Sequence, residues 1–285
     1  MTARELIHRI ETAILARYDA REAHQIALLV AAHYAHCGHQ TAMLVADPDR
    51  IIDLTEEAAE RIVMRLVAGE PMQYLLGETD FYGRIFRVDN RVLIPRPETE
   101  ELVDWIRRDE RQARTLLDVG TGSGCIAISL ALELPATQVS AVDISADALA
   151  VARFNAERLG AKVEFRQADA LGGLEQAFAP EQFDLIVSNP PYIPASDQTT
   201  MQAHVTEHEP HLALFVPDAD ALCFYRAIAR AGQRLLAPNG KLYFEIYHEA
   251  ADALCDLLAE EGYSHIVLRR DLCDKPRMLC GQKSV

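Results

Sequence analysis

The sequence predicts an α/β fold, a parallel sheet of six or seven strands covered by helices, preceded by a small helical domain and a β-hairpin. Three observations carry this. Apolar residues recur at helical spacing as far as about Ala68, the pattern becomes strand-like between Asp80 and Ile94, and beyond Pro97 short apolar strands alternate with helical stretches.

In the first region Leu6, Ile7, Ile10 and Ile14 form one apolar stripe, and Ile26, Leu29, Val30 and His33 a second. The last helix opens with Thr55 as N-cap, carries Glu56 and Glu57 at its positive dipole end, and stops at Gly69 with Pro71 beyond. From Asp80 to Ile94 the residues read as a hairpin broken at Asp89-Asn90, a turn pair. After Ile94-Pro95-Arg96-Pro97, strands are expected at Thr115–Val119, Val139–Val142, Val163–Phe165 and Phe183–Val187, then at Lys241–Ile246, His265–Leu268 and Arg277–Cys280. Helices are expected near Ala221–Leu236 and Glu249–Glu261. Alternation of this kind implies a parallel sheet. No internal repeat or low-complexity segment interrupts it.

The chain has 285 residues, 49% hydrophobic and 25% charged, enough for two globular domains with an ordinary core. The expected division is 1–75, a helical domain; 76–97, a hairpin linker; and 98–285, the sheet domain. Cys37, Cys125, Cys223, Cys255, Cys273 and Cys280 show no C-x-x-C spacing, which suits a reducing, cytoplasmic compartment. Arg4, Glu5, Arg9 and Glu11 precede any apolar run, so no secretory leader is expected. Nor is a membrane contact, since no run of about 18 apolar residues exists. A net charge of −15 opposes direct nucleic-acid binding and accommodates a basic protein partner.

Asp118-Val119-Gly120-Thr121-Gly122-Ser123-Gly124 places three glycines at alternate positions where a buried strand gives way to a helix. Glycine tolerates positive φ and has no Cβ, so a ligand is expected to lie against the turn's main-chain N–H groups. Asp143, about 20 residues on at the end of the next strand, is placed to accept from two ribose hydroxyls. A dinucleotide fingerprint requires a third glycine where Cys125 stands. A G-x-G-x-G turn instead suits S-adenosylmethionine. Asp118 is then expected to face the cofactor's ammonium group, and Asp169 its adenine amine, with Ala170 along the adenine edge. A ligand-free strand-to-helix connection is the plain alternative.

The strand Phe183–Ser188 runs into Asn189-Pro190-Pro191-Tyr192 at its carboxyl end, where α/β folds place ligands. A planar –NH2 nitrogen is a poor nucleophile, because its lone pair is delocalised. Two acceptors, the Asn189 side-chain oxygen and the Pro190 carbonyl, can each take one N–H and favour pyramidalisation toward a methyl donor. The prolines aim that carbonyl in advance, and the Tyr192 ring can cover the substrate's flat face.

Together these residues resemble the release-factor glutamine N5-methyltransferase family over nearly the whole chain. The likeness extends to Val92-Leu93-Ile94-Pro95-Arg96-Pro97-Glu98-Thr99-Glu100, Pro71-Met72-Gln73-Tyr74, Gly77, Phe81-Tyr82-Gly83, Glu209-Pro210 and Ala213-Leu214. The resemblance implies a class I S-adenosyl-L-methionine-dependent methyltransferase, Rossmann-like with a seven-stranded, mostly parallel sheet. It implies that a cytoplasmic monomer methylates the glutamine of the Gly-Gly-Gln loop of peptide-chain release factors, releasing S-adenosyl-L-homocysteine. The helical domain would grip the release factor. Gly120 to Gly124, Asp143 and Asn189 would hold the cofactor, Asn189 to Tyr192 the glutamine, and Arg96 with Glu100 would order the linker. Two departures stand out: Tyr247 replaces the glycine usual after Glu245-Ile246, and Asp271–Arg277 lacks a glycine before its arginine.

The enzymatic rival is a nucleic-acid amino-methyltransferase of the adenine N6 type, which presents the same planar –NH2. A non-enzymatic rival is a cofactor-binding accessory protein, against which the intact Asn189–Tyr192 motif argues. His33, His36, Cys37 and His39, and His204, His208 and His211, invite a zinc reading, but their spacing matches no four-ligand pattern and no metal is expected.

Overall fold

A computed structural model describes residues 1–37, 41–200 and 203–284. The chain forms two compact units, Met1–Glu78 with Gln202–His208, and Thr79–Met201 with Glu209–Val285.

The first unit is built from α1 (Ala3–Ile14), α2 (Ala20–Tyr34), α3 (Ala42–Ala46), α4 (Glu56–Val67) and α5 (Met72–Leu76). Thr2 and Glu5 close a capping box on α1, Asp19 caps α2, and Thr55 caps α4 through a 3.2 Å bond from the Ala58 N–H. Leu6, Ile10 and Ile14 are buried, as their spacing predicts, with Ile7 half-buried beside them. The second stripe is shifted. On α2 the buried residues are Ala23, Ala27, Leu28, Val30, Ala31 and Ala32, while Ile26, Leu29 and His33 are only half-buried. Alanines let helices approach closely, so close packing rather than side-chain bulk selects the inner face.

In the second unit β1 (Glu78–Phe81) and β2 (Arg84–Arg87) form the hairpin. It turns at Tyr82 (φ 49°) and Gly83 (φ 72°), not at Asp89-Asn90. Two consecutive positive φ values are what a tight two-residue hairpin turn requires. Asp89 instead binds the backbone and side chain of Arg91 beyond the strand.

There follow α6 (Pro97–Asp109), β3 (Thr115–Val119), α7 (Cys125–Glu133), β4 (Gln138–Asp143), α8 (Ala146–Leu159), β5 (Val163–Gln167), α9 (Leu174–Phe178) and β6 (Phe183–Ser188). The short β7 (Ile193–Pro194), α10 (Ala203–His208) and β8 (Phe215–Val216) precede α11 (Cys223–Leu235), β9 (Leu236–Glu245), α12 (Ala251–Glu260), β10 (Tyr263–Arg270) and β11 (Pro276–Lys283). Among the described residues the central sheet has seven strands in the order β10-β11-β9-β6-β3-β4-β5. β11 is antiparallel to both its neighbours and the remaining pairings are parallel.

Alternate residues serve opposite faces of the sheet. Leu117, Val119, Ile186, Leu242 and Phe244 enter one core, and Leu116, Leu185, Val187 and Tyr243 the other. The two departures near the C-terminus are absorbed locally. Tyr247 has φ −70°, which needs no glycine, and Asp274 adopts φ 60° where a glycine would be easier. The Asp271 carboxylate stabilises that turn by accepting from Cys273 N, Lys275 N and Arg277 Nε, which hold its pKa below the usual range.

Candidate active site

The strand order reverses direction between β3 and β6, the point at which open α/β sheets carry ligands beyond their carboxyl ends. Val119 is in register with Ser188, so Gly120 and Asn189 leave the sheet side by side. The Ser188 hydroxyl, fully buried, donates to the Val119 carbonyl at 2.7 Å and ties the two strand ends together. A cavity of about 220 Å³ opens there, lined by Gly120, Gly122, Asp143, Asp169, Ala170, Asn189, Pro190 and Pro191 among others.

The glycines at 120 and 122 offer space to the cavity. The N–H groups of Gly120 and Thr121 donate to the Val142 carbonyl at 2.8 and 3.0 Å, and that of Gly124 to Thr121 at 2.8 Å. The Gly122 N–H goes to Asp143 Oδ2 at 2.9 Å. These four N–H groups are therefore spent within the protein. Gly120 (φ 74°) and Gly122 (φ 55°) present bare Cα surface instead, and a Cβ at either would meet nothing within 4 Å. That open cradle, directly on the cavity wall, fits a cofactor packed flat against the turn. Thr121, Ser123 and Gly124 are buried and do not line the cavity. Gly124 is the N-cap of α7, and a Cβ there would lie 2.7 Å from Ile128 Cδ1.

Asp118 is fully enclosed under the turn and off the cavity lining. Its Oδ2 accepts from Thr121 Oγ1 at 2.7 Å and Ala127 N at 3.2 Å, while Oδ1 has no partner among the described residues. Burial pushes its pKa up to about 7. Asp143, at the end of β4, lines the cavity and receives Ser145 N on Oδ1 at 2.9 Å besides Gly122 N on Oδ2. Burial raises its pKa, against the pull of these backbone donors. Each oxygen keeps a further lone pair for a hydroxyl. Asp169 is exposed at the cavity edge and accepts from Leu171 N at 2.8 Å.

Asn189, half-buried, and Pro190, buried, line the same cavity. Tyr192 does not line it. Its ring stacks on Tyr247 with centroids 5.9 Å apart and planes 10° from parallel, and burial raises its pKa strongly. The Asn189 Nδ2 donates to Thr99 Oγ1 at 3.4 Å, and Thr99 donates to the buried Glu245 carboxylate at 2.6 Å. Neither Thr99 nor Glu245 is singled out by sequence reasoning. The signal was present in Pro97-Glu98-Thr99 and Glu245-Ile246, but only folding joins them. Apolar residues from separate loops, Ile144, Leu171 and Leu212, each more than 40% exposed, also gather at this cavity and carry no local sequence signal.

Arg96 and Glu100, both expected to order the linker, have separate partners. Arg96 binds Glu209, whose side chain is almost wholly buried, at 2.6 Å, and Glu209 also accepts from Ile94 N. Glu100 instead accepts from Tyr82 N at 2.8 Å. Among the described residues no group of three or more His, Cys, Asp or Glu side chains could hold a metal. His33 meets Glu78, and the buried Cys37 thiol donates to Ala35, whereas His39 lies outside the described residues. Among the described residues no helix is long and apolar enough to cross a membrane.

The family described as "Methyltransferase domain" matches residues 110–282. A release factor glutamine methyltransferase of Bacteroides thetaiotaomicron is 48% identical over 224 residues, 79% of this chain and 80% of that protein. One from Flavobacterium psychrophilum is 42% identical over 242 residues, covering 83% and 84%. In three dimensions a methyltransferase from Pyrococcus furiosus aligns with a TM-score of 0.54 at 16% identity, over 79% of this chain and 98% of that one. That likeness concerns the fold, and the seven-stranded, mostly parallel class I methyltransferase architecture expected from the sequence is present.

Proposed function

The chain belongs to the release factor glutamine methyltransferase family, and from that premise we propose that it transfers a methyl group from S-adenosylmethionine to the glutamine side-chain nitrogen of the Gly-Gly-Gln loop of peptide-chain release factors. The observation that carries the reading is the placement of Asn189 and Pro190 on the same cavity as the bare Gly120–Gly122 surface.

Gly120 and Gly122 would supply the cofactor's resting surface, Asp143 would accept from its ribose hydroxyls, and Asp169 would receive its adenine amine. When bound, S-adenosylmethionine supplies a sulfonium methyl, whose bond electrons return to sulfur as the amide lone pair forms the new N–C bond. The Asn189 Oδ1 and Pro190 carbonyl each accept one N–H of the substrate carboxamide, which directs the nitrogen lone pair toward the methyl donor. Partial pyramidalisation lets those acceptors act more strongly on the transition state than on the planar amide. No base needs to remove a proton first; the nitrogen loses it to solvent after the bond has formed, when it is far more acidic. Ile144, Leu171 and Leu212 would give the cofactor apolar surroundings at the cavity. The helical unit would hold the protein substrate, and the net charge of −15 suits a basic partner.

Mass spectrometry of a release factor incubated with the enzyme and S-adenosylmethionine tests this. One added methyl on the Gly-Gly-Gln glutamine is expected. Methyl incorporation into tRNA, rRNA or DNA in preference to the protein overturns the reading.

A further inference from the structure

A carboxamide can present either its oxygen or its nitrogen to a ligand, and only the oxygen can receive a substrate N–H. At Asn189 the choice is made behind the cavity. Glu245 is the last residue of β9, and Ser188 is in register with Phe244, so Asn189 and Glu245 follow each other off neighbouring strands. Thr99, in the first turn of α6, stands between them. Thr99 and Glu245 are 2% and 1% exposed, which shields their bond from bulk solvent.

The Thr99 hydroxyl has one proton. With Glu245 ionised its carboxylate can only accept, and the Thr99 proton belongs to the 2.6 Å bond to Oε2. The Thr99 oxygen therefore faces Asn189 with a lone pair, and Asn189 can answer it only with Nδ2, found at 3.4 Å. Its Oδ1 is left for the other side. We infer that Thr99 and Glu245 are positioning residues that fix the Asn189 carboxamide with its oxygen toward the substrate nitrogen. Their effect is transmitted as hydrogen-bond polarity rather than as contact with substrate. The inference rests on the function proposed above, since an inverted amide matters only if Asn189 must accept.

Steady-state methylation of a full-length release factor, with separate titration of S-adenosylhomocysteine binding, tests it. Thr99→Val keeps the shape and removes the hydroxyl; kcat falls about tenfold, the scale of one directed hydrogen bond, while cofactor affinity stays within twofold of wild type. Thr99→Ser restores the hydroxyl and returns kcat to within about threefold. Glu245→Met keeps the approximate length of the side chain, removes the acceptor, frees the Thr99 proton to turn toward Asn189, and gives the same loss in kcat; it carries the test if Thr99→Val does not fold. Wild-type kcat in both Thr99→Val and Glu245→Met, or in Glu245→Met alone where Thr99→Val does not fold, overturns the inference. So does loss of cofactor affinity in step with kcat, or a Thr99→Ser enzyme no better than Thr99→Val. A wild-type enzyme that does not methylate release factor sinks the functional reading instead, so the two failures are distinguishable.

Discussion

The Gly122 N–H donates to Asp143 Oδ2 at 2.9 Å, joining the glycine turn after β3 to the acid at the end of β4. With Ser145 N on the other oxygen, the carboxylate is held across the cavity wall by two backbone donors before any ligand arrives. Asp143→Ala should therefore weaken S-adenosylhomocysteine binding about 100-fold, from the loss of two charge-assisted hydrogen bonds. Isothermal titration measures it, and affinity within threefold of wild type would remove Asp143 from the cofactor site.

Asn189→Ala deletes one of the two acceptors without touching the glycine surface. Turnover should fall about 100-fold or more while cofactor affinity is largely kept. Single-turnover methylation beside the same titration separates the two, and undiminished turnover refutes the role.

Burial pushes the Glu245 pKa up to about 7, opposed by its Thr99 bond and by Arg277 and Arg96, and assisted by Glu98. A protonated carboxyl can donate to Thr99, which loosens the polarity imposed on Asn189. Turnover should accordingly decline as pH falls through about 7, and the Glu245→Gln profile should lack that limb. Asp118 titrates in the same range, so a limb that persists in Glu245→Gln assigns the effect elsewhere.

The glycines of the turn should separate by measurement. A Cβ at Gly124, with φ 83°, meets Ile128 Cδ1 at 2.7 Å and Ala152 Cβ at 3.2 Å, so Gly124→Ala should cost about 2–4 kcal/mol in stability. At Gly122 the Cβ meets nothing, so Gly122→Ala should cost only about 1 kcal/mol of backbone strain yet weaken cofactor binding at least tenfold. Thermal unfolding and cofactor titration on both variants check the contrast; equal binding loss at both positions would contradict it.

The buried strands were legible because apolar runs of about five residues between turn signals have few other solutions. Thr115–Val119 matches residue for residue, and Phe183–Val187 extends by one. The hairpin turn was misplaced because Asp89-Asn90 has the right composition, whereas the chain reverses at Tyr82-Gly83, where a tyrosine accepts positive φ. The partner of Arg96 was not legible for a related reason. Glu100 is near in sequence, but Glu209 arrives from 113 residues away and is the buried acceptor.

What the sequence by itself determined is what depends on neighbours along the chain: the strands and helices, the glycine turn, and the rigid Asn189-Pro190-Pro191-Tyr192 corner. Periodicity, capping and restricted φ are local properties, and they survive being read one segment at a time. Tertiary structure decided whatever depends on which groups meet. It consumed the N–H groups of Gly120, Thr121, Gly122 and Gly124 within the protein, enclosed Asp118, turned Tyr192 onto Tyr247, and set Thr99 and Glu245 behind Asn189. A hydrogen bond has a direction and a single proton to give, and where that proton goes is known only when donor and acceptor from distant segments stand face to face.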